Sequence, residues 1–507
     1  MPESKKSNQL FFESDIAQAY FFSLFIRRNY DLDQMCLLSC LYSLIMSEVS
    51  ITFLGATDTV TGSRFLITGP RSRVLIDCGM FQGLKKDRLK NWEPFAADPR
   101  SIDAVVLSHA HLDHCGFLPV LVREGFTGPI YSTQYTKELS AVILNDSARL
   151  QTEDAKYASK KGYSKHNPPK ALYGPDEVEK TLPLFKTIDF ATRTEIAKDC
   201  FLTFHPSGHI LGASFILIEM AEKKFIFTND LGRNNHPLLV GPQLPLENDI
   251  DVVVTESTYG DRVHEDAADV FADQLNAAIK RGGRILIPAF AVDRTEVILM
   301  KIRQLIQDKK IPQTPIYVDS PMALKALDYY RQAINESSPE IRPEVSAEWV
   351  GKDPFDPGML NQMRTTEESI SLNKLLTNAI IVSASGMGTG GRVVHHLEQI
   401  LPDRLSTVIL VGFQAVGTRG QALLDGQTQI KMFGQFVPVN AKIEHVESFS
   451  VHADSNELIT WLKAIKSPKQ AFVVHGDPTS AQTFASRLTT ELGWKATVPE
   501  FAKSYQV

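Results

Sequence analysis

The sequence has few cysteines, no long hydrophobic run and no excess of positive charge. Its five cysteines are scattered over 507 residues without CxxC pairing and are odd in number, which argues against a disulfide framework and favours a reducing, cytoplasmic environment. With a net charge of −6, binding to nucleic acid needs a locally basic groove. Solenoid repeats and low-complexity segments are also lacking, so any function must reside in local sites.

The first 45 residues contain two apolar stretches, at 21–26 and 35–45, separated by a segment that includes Arg27, Arg28 and two aspartates. Each stretch is too short to span a bilayer. The layout is not that of a secretory signal, because the arginines follow the first apolar stretch. We interpret residues 1–45 as a poorly ordered or dispensable extension, with a partner-binding or membrane-surface helix as the alternative. For the rest of the chain we expect no membrane partner.

In the remaining residues, the predicted strands and helices follow one another in two different patterns. Short β-rich segments and helices alternate irregularly up to residue 258, which is typical of a layered α/β domain. Residues 259–418 alternate strand and helix regularly, and this pattern indicates a doubly wound parallel sheet. Short strands return from residue 419. We therefore predict one α/β domain formed by 46–258 and 419–507, with a second domain, 259–418, inserted into it.

The segment HAHLDH, residues 109–114, follows the apolar strand AVVLS and carries four possible metal ligands. In an extended segment, residues i and i+2 point the same way, so His109 and His111 can hold one ion. After a turn, Asp113 and His114 can face a second. Imidazole and carboxylate suit zinc, and without a partner their burial is costly. The motif therefore predicts a metal site.

Three further candidates end apolar runs and precede small residues: His209, Asp230 and His452. Each by itself fits equally well as a hydrogen-bonded core or turn residue. In combination with HAHLDH, they are better explained as further ligands from strand ends at the same edge of a sheet.

With these motifs the sequence resembles the β-CASP group of metallo-β-lactamase-fold nucleases, which includes ribonuclease J and the cleavage endonuclease of mRNA 3′-end formation. It is most similar to their compact bacterial relatives. The resemblance covers essentially residues 49–507, through GATDTVTGSRFLI, LIDCGMFQG, LSHAHLDHCG, SGHILGAS, TNDLG, ESTYGDR, IPAFAVDRTE, VDSPMA, SASGMGTGGR and FSVHAD. It implies an α/β fold: a four-layer αββα metallo-β-lactamase fold with an inserted doubly wound parallel-sheet β-CASP domain.

The resemblance also implies a ligand set for two Zn²⁺ ions, with Mn²⁺ as an alternative. In this set one ion is bound by His109, His111 and His209, and the other is bound by Asp113, His114 and His452. Asp230 bridges the two ions, and Asp77 lies behind the ligands, where it holds a metal-binding histidine in its tautomer. Thr228-Asn229 stands where the family usually has Ser-Gly, and we expect this difference to alter the turn but not the ligand.

For catalysis, the resemblance implies Asp113 at the metals and Glu256 as the carboxylate that orients a histidine proton donor. A polar residue at a strand end is the alternative for Glu256. The identity of the histidine is ambiguous in the sequence, since Ala422 stands where the eukaryotic endonuclease has histidine. Of the nearby histidines, His395 and His396, we favour His396 as the general acid.

Several features indicate RNA as the substrate. RNA-cleaving members of the family carry histidine at the last motif, which we assign to His452. The glycine-rich SASGMGTGGR could bind phosphate through Ser385, Gly386 and Arg392, although a tight strand-to-helix connection explains it as well. Arg294 is a further candidate phosphate contact. Residues 156–170 mix lysines with Tyr157 and Tyr163 and could stack bases, but a solvated loop is the favoured interpretation.

These observations predict a zinc-dependent ribonuclease in which two metal ions activate hydroxide. We expect it to cleave single-stranded RNA internally, with additional cleavage from an end as a wider form of the same hypothesis. Two alternatives stay open: a small-molecule ester or thioester hydrolase of the same fold, and a non-catalytic RNA-processing scaffold. The resemblance is compatible with a homodimer, although the sequence has no exposed heptad pattern.

Overall fold

The computed structural model describes residues 48–161, 170–247, 249–264, 270–375 and 378–507. The predicted extension 1–45 lies outside the described residues, as do Tyr163 and most of the predicted loop around it. None of the helices in the described ranges has both the length and the apolar character of a membrane span.

Two seven-stranded sheets form the larger domain. Their strands are β1 (Ser50–Phe53), β2 (Phe65–Thr68), β3 (Arg73–Ile76), β4 (Ala104–Val106), β5 (Ile130–Ser132), β6 (Phe185–Thr187), β7 (Thr194–Ala197), β8 (Cys200–Pro206), β9 (Ser214–Met220), β10 (Lys223–Phe227), β11 (Val252–Thr255), β20 (Gln470–Val473), β21 (Ala496–Thr497) and β22 (Ser504–Gln506). One sheet has the order β22-β1-β2-β3-β4-β5-β6, and the other has the order β21-β20-β11-β10-β9-β8-β7.

The two sheets face each other across an apolar core. Phe53 and Val106 of the first sheet belong to the same buried cluster as Phe204, Phe225 and Phe472 of the second. All four residues of β11, VVVT, are buried, because the other sheet covers one face and helices cover the other. The helices of this domain are α1 (Lys85–Lys90), α2 (Leu112–Cys115), α3 (Leu118–Arg123), α4 (Gln134–Lys161), α5 (Pro175–Thr181), α13 (Ser455–Leu462) and α14 (Pro478–Leu492). These layers are the predicted αββα arrangement.

The inserted domain is built on a six-stranded sheet in which every pair is parallel. Its strands are β12 (Arg284–Pro288), β13 (Ile316–Val318), β14 (Leu360–Gln362), β15 (Ala379–Ser383), β16 (Thr407–Val411) and β19 (Lys442–Val446), in the order β14-β13-β15-β12-β16-β19. Its helices are α6 (Val270–Arg281), α7 (Arg294–Gln307), α8 (Pro321–Asn335), α9 (Pro343–Trp349), α10 (Thr366–Ser371), α11 (Arg392–Ile400) and α12 (Arg419–Leu424).

The carboxyl-terminal boundary of this domain differs from the predicted residue 418. The hairpin of β17 (Gln429–Met432) and β18 (Gln435–Pro438) packs into the core of the inserted domain, and β19 then joins its sheet. A parallel strand needs a long crossover before it can pair, and here the hairpin belongs to that crossover. The short strands after residue 419 therefore extend the inserted domain to about Val446.

Residues 156–161 also differ from the prediction, because they are helical. The long helix α4 continues to Lys161, so 162–170 remains of the predicted basic loop, and 162–169 of it lies outside the described residues. Tyr157 on this helix contacts the ring of Phe433 at the tip of the β17–β18 hairpin, with ring centroids 6.4 Å apart. The helix of one domain thus meets the hairpin of the other.

Candidate metal centre and cleft

Three imidazoles and one carboxylate converge where strands β4, β8 and β10 end. Nδ1 of His111 lies 3.1 Å from Nε2 of His109 and 3.2 Å from Nε2 of His209. Oδ2 of Asp230 lies 3.4 Å from Nε2 of His109 and 3.6 Å from Nε2 of His209. These four side chains could hold one metal ion.

A second group forms beside the first from Asp113, His114 and His475. Nε2 of His475 lies 3.2 Å from Nε2 of His114 and 3.5 Å from Oδ2 of Asp113. Oδ1 of Asp230 lies 3.3 Å from Nε2 of His114, while its other oxygen faces the first group. Asp230 therefore stands between the two groups with one oxygen directed to each, as a bridging carboxylate does.

The structure places His452 differently from the sequence prediction, which put it with Asp113 and His114. That place is taken by His475. Nδ1 of His452 instead lies 3.2 Å from Oε2 of Glu256, and its ring faces that of His209 with centroids 4.5 Å apart. The sequence did carry a signal for His475, because in AFVVHGD it ends an apolar strand and precedes glycine, the pattern that singled out the other candidates.

The electrostatics of the two groups fit metal ions. Burial, together with the neighbouring imidazoles, holds the pKa of His109 and His209 well below the usual range, and burial lowers that of His111 to about 4. These rings are therefore neutral at pH 7, as metal ligands must be. In the second group burial by itself lowers the pKa of His114, but Asp230 and Asp77 raise it well above the usual value. The negative charge of these carboxylates favours a positive charge at this position, and a bound divalent ion would supply it.

Asp77, at the end of β3, lies directly behind the second group. Its Oδ2 is 2.7 Å from Nδ1 of His114, and the same carboxylate accepts hydrogen bonds from the backbone and hydroxyl of Ser108. The amide of Asn229 also donates to it, at 2.7 Å. A carboxylate on the far nitrogen of a ligand imidazole directs the near nitrogen toward the metal, so Asp77 is suited to orient His114 rather than to bind an ion.

Glu256 is almost fully buried at the end of β11. Its Oε1 accepts a hydrogen bond from the backbone N–H of Leu231, next to Asp230, at 2.6 Å. Its other oxygen faces His452. The carboxylate thus connects the metal centre with a histidine at its edge, and in this place it can orient that imidazole.

His396, the predicted general acid, does not lie beside Glu256. It is buried in helix α11, where its Nε2 is 2.6 Å from Oδ2 of Asp319. Ser369 donates to the same oxygen. Since Glu256 contacts His452, the histidine that it can orient is His452, and His396 is part of the interior of the inserted domain. Ala422 packs against the apolar core that surrounds α11.

Arg392 and Ser385 both line the cleft beside the metal centre, but they differ in their hydrogen-bond partners. Arg392 donates to Oδ1 of Asp319 at 2.6 Å and to the carbonyl of Met363 at 2.8 Å, so part of its hydrogen-bonding capacity is already used. Ser385 and Thr389 share a hydroxyl contact of 2.9 Å. Gly386 packs against the ring of Phe290, where an added Cβ would lie 3.0 Å from ring and backbone atoms, and it is suited to close packing more than to ligand contact.

Arg294 also lines the cleft, and only 5% of its surface is exposed. Burial lowers the pKa of its guanidinium. Its Nη1 donates weakly to the carbonyl of Val411 at 3.4 Å, and its Nε has no hydrogen-bond partner among the described residues. A buried cation so poorly satisfied favours a bound anion.

The cleft itself has a volume of about 970 Å³ and runs between the two domains. The metal-site side chains His111, Asp113, Asp230, His452 and His475 form part of its wall. Outside the metal centre the lining includes six basic side chains from the two domains and three acidic ones, namely Arg88, Arg149, Arg294, Arg392, Arg419 and Lys431, and Asp146, Asp154 and Asp319. The cleft therefore combines a metal centre with a surface on which basic side chains outnumber acidic ones, in a chain whose net charge is −6.

Comparison with known proteins matches three family models to consecutive parts of the chain. They are the metallo-beta-lactamase superfamily over residues 58–288, the Beta-Casp domain over 295–423, and the Zn-dependent metallo-hydrolase RNA specificity domain over 437–499. The last match contains both His452 and His475.

Three curated relatives align over most of the chain. Ribonuclease TTHA0252 of Thermus thermophilus is 34% identical over 426 residues, which cover 83% of this chain and 92% of that protein. The RNase J-like protein of Methanocaldococcus jannaschii is 29% identical and the alignment covers 89% and 98%. The transcription termination factor FttA of Methanosarcina mazei is 30% identical, with 88% and 69% covered.

These matches follow the order of the domains in the structure and confirm the resemblance inferred from the motifs. The chain belongs to the β-CASP ribonuclease family of the metallo-β-lactamase superfamily.

Proposed function

We propose that this protein is a zinc-dependent endoribonuclease that hydrolyses phosphodiester bonds of single-stranded RNA. The observation that carries the proposal is the position of Asp230, with one oxygen toward each of two ligand groups at the wall of a basic interdomain cleft. Membership of a ribonuclease family supports RNA as the substrate. Shortening of RNA from an end is a secondary activity in this proposal.

In this proposal His109, His111 and His209 hold one ion, Asp113, His114 and His475 hold the other, and Asp230 belongs to both. Zinc suits these imidazole and carboxylate ligands, and Mn²⁺ is the alternative. When bound, two such ions supply positive charge that lowers the pKa of a shared water and stabilises the charge developing on a phosphate. The protein contributes the ligands and their orientation, through Asp77 behind His114.

His452 is the proton donor in this proposal. Glu256 holds its Nδ1, which leaves Nε2 as the ring nitrogen available to the leaving oxygen of the RNA. The ring is partly exposed at the wall of the cleft, with 17% of its side chain accessible, whereas Glu256 is buried. A general acid must reach the substrate while its partner stays fixed, and this pair meets both conditions.

Single-stranded RNA fits the remaining surface of the cleft. Arg294, Ser385 and Arg392 are candidate phosphate contacts, while Trp92 and Phe413 supply aromatic surfaces for stacking on bases. The cleft is formed by two domains and extends well beyond the metal centre, which favours a polymer over a small ester or thioester.

The test is the cleavage of an end-labelled, unstructured RNA and its DNA counterpart by zinc-loaded protein. The variants are Asp113→Ala and, as a matched control, Asp176→Ala, which changes an exposed aspartate of α5. We expect internal cuts in RNA by the wild type and by the control, and a loss of at least 100-fold in Asp113→Ala. Zinc content, measured by plasma spectrometry, should be two per wild-type chain.

Absence of RNA cleavage by folded, zinc-loaded wild type would contradict the proposal. Hydrolysis of chromogenic lactams or thioesters by the same preparation would then favour the small-molecule hydrolase. A wild type that binds no zinc at all would favour the non-catalytic scaffold.

A further inference from the structure

His209 and His111 differ from His109 and His475, because the second ring nitrogen of each, Nδ1 of His209 and Nε2 of His111, has no hydrogen-bond partner among the described residues. Nδ1 of His109 lies 3.0 Å from the hydroxyl of Ser108, and Nδ1 of His475 lies 3.1 Å from that of Thr258. A ligand imidazole is normally oriented through its second nitrogen, so the direction of His209 must depend on its backbone.

The backbone around His209 forms a loop, residues 207–213, between β8 and β9. Ser207 N–H donates to the carbonyl of Ala213, and Ala213 N–H donates to that of Ile210. Gly212 has a φ of +85°, and an added Cβ there would lie 2.4 Å from the backbone nitrogen of Thr136, so the tight path of the loop requires glycine. The two inner N–H groups, of Leu211 and Gly212, have no partner within the loop.

Both N–H groups are bound by side chains of the inserted domain. The N–H of Leu211 donates to the hydroxyl of Tyr330 at 3.0 Å, and the N–H of Gly212 donates to Oε2 of Glu340 at 2.5 Å. Tyr330 is fully buried, and 8% of Glu340 is exposed. These are contacts between domains, made two and three residues after His209.

Tyr330 is itself fixed by Asp293. Its hydroxyl donates to Oδ1 of Asp293 at 2.7 Å, while Oδ2 of the same carboxylate lies 2.9 Å from Nε2 of His236. Nδ1 of His236 accepts two backbone N–H groups, so its proton resides on Nε2 and is donated to Asp293. Asp293 has a φ of +70°, a conformation that favours glycine. An aspartate there is explained by the two donors that its carboxylate serves.

We propose that Tyr330 and Glu340 are positioning residues for His209: they hold the backbone of its loop and thereby direct its imidazole toward the metal site. The inference rests on the proposed role of His209 as a ligand. It means that the metal centre is completed by the inserted domain, which supplies none of the ligands of that ion but fixes the loop of one of them.

The test uses Tyr330→Phe, which removes only the hydroxyl, in the full-length protein. Tyr329→Phe is the matched control, because this neighbour on α8 is only partly buried and has Lys325 over its ring. Hydrogen exchange of the peptide containing residues 207–213 is measured in metal-free protein, and zinc release to a chromophoric chelator is measured in loaded protein. Neither readout depends on activity.

In Tyr330→Phe we expect the amide of Leu211 to exchange at least 10-fold faster and one zinc ion of two to be released about 10-fold faster, the size of effect known for groups that orient metal ligands. Tyr329→Phe should behave like the wild type. Equal exchange and equal zinc release in the two variants would overturn the inference.

A second pair of variants acts on the other contact. Glu340→Ala removes the acceptor for Gly212, whereas Glu340→Gln retains one. We expect faster exchange and faster zinc release in the alanine variant and rescue of both in the glutamine variant. If Tyr330→Phe does not fold, as judged by circular dichroism, this pair decides, and equal behaviour of its two members overturns the inference.

The outcomes also separate this inference from the proposed function. A wild type without zinc or ribonuclease activity contradicts the function, and no variant comparison is then needed. A wild type with two zinc ions and RNA cleavage, combined with unchanged exchange and zinc release in the Tyr330 and Glu340 variants, contradicts the positioning role alone.

Discussion

Asn229 shows how a single residue connects backbone shape to the metal centre. It precedes Asp230 and has a positive φ of 45°, a conformation that glycine adopts freely and that asparagine tolerates better than most residues. Its side chain then donates to Asp77. The departure from Ser-Gly in this turn therefore adds a contact to the carboxylate behind His114, in addition to the change of turn that the sequence predicts.

Two histidines, His452 and His475, have different roles in our proposal, and substitution should separate them. In His475→Ala one zinc ion should be lost together with activity, because a ligand is removed. In His452→Ala both zinc ions should remain, while cleavage of RNA falls by about 100-fold, the usual contribution of a general acid. Zinc content and the cleavage rate are measured on the same preparations.

His395→Ala is the control for these variants, since this exposed histidine stacks on Phe433 in the inserted domain. It should retain both zinc and activity. Loss of zinc in His452→Ala with retention of two ions in His475→Ala would contradict the assignment.

Glu340 provides a prediction about pH. Burial raises the pKa of its carboxyl from 4.5 to about 7, against the opposing hydrogen bond from Gly212. Because the folded state holds the proton more tightly, this group's stabilisation is fully present below pH 4.5 and is lost as pH rises through 7. At about 1.4 kcal/mol per unit of pKa, ionisation of Glu340 above pH 7 costs the folded state about 3 kcal/mol of stability relative to pH 4.5. Glu340→Gln, which is always neutral, should therefore unfold with a free energy about 1–3 kcal/mol above the wild type at pH 8.

At pH 5 the wild type and Glu340→Gln should differ little. Urea unfolding at both values measures the effect, with Glu336→Gln on the same face of the domain boundary as the control. A difference between Glu340→Gln and wild type that is the same at pH 5 and pH 8 would show that the carboxyl does not titrate in this range.

At the scale of elements, His452 and His475 are each followed by an aspartate that caps the amino terminus of a helix. Asp454, two residues after His452, caps helix α13 by accepting from the N–H groups of Asn456 and Glu457. Asp477, two residues after His475, caps α14 in the same way. Because an N-cap residue is extended while the next is helical, each cap fixes where the chain turns after its histidine.

Asp454→Ala should lower the free energy of unfolding by about 1–2 kcal/mol, because two N–H groups lose their acceptor. The same carboxylate also accepts the N–H of His264 at 3.0 Å, whose ring is hydrogen-bonded to the carbonyl of His452 at 3.1 Å. RNA cleavage should therefore fall more than stability alone explains. Chemical denaturation and initial rates are the measurements.

Asp454→Asn keeps a capping oxygen and is the matched control. It should restore most of the stability. Equal loss in the alanine and asparagine variants would mean that the cap is not what stabilises the start of α13.

At the scale of the molecule, charge is unevenly distributed. The chain carries −6 overall, yet basic side chains of both domains line the cleft. Phosphate binding displaces counterions, so affinity for RNA should depend on salt through these residues and not through net charge. The cleft, which neither domain forms by itself, brings these basic side chains beside the metal centre.

Arg88→Gln should raise KM for RNA several-fold at unchanged kcat, because this exposed arginine of α1 lines the cleft but lies outside the metal site. The slope of log affinity against log salt should also become shallower by about one. Lys86→Gln, on the same helix and not part of the cleft lining, is the control. Equal effects of the two substitutions would show that the cleft is not where RNA binds.

The sequence by itself determined the fold class and the local part of the metal centre. Regular alternation of strands and helices predicted the inserted parallel sheet, which the family matches confirm. HAHLDH predicted four candidate ligands because side-chain direction within six residues depends only on local geometry. The end of the inserted domain was missed, since a hairpin belonging to a crossover looks in sequence like a return to the other domain.

Only the tertiary structure decided which distant groups meet. His475 lies 361 residues from His114, and nothing in their local sequences distinguishes it from His452 as a partner. The same holds for His396, which pairs with Asp319, and for Tyr330 and Glu340, whose bonds to the loop of His209 exist only because the two domains pack together. Local patterns state which side chains can bind metal, whereas the packing of the domains places them within bonding distance.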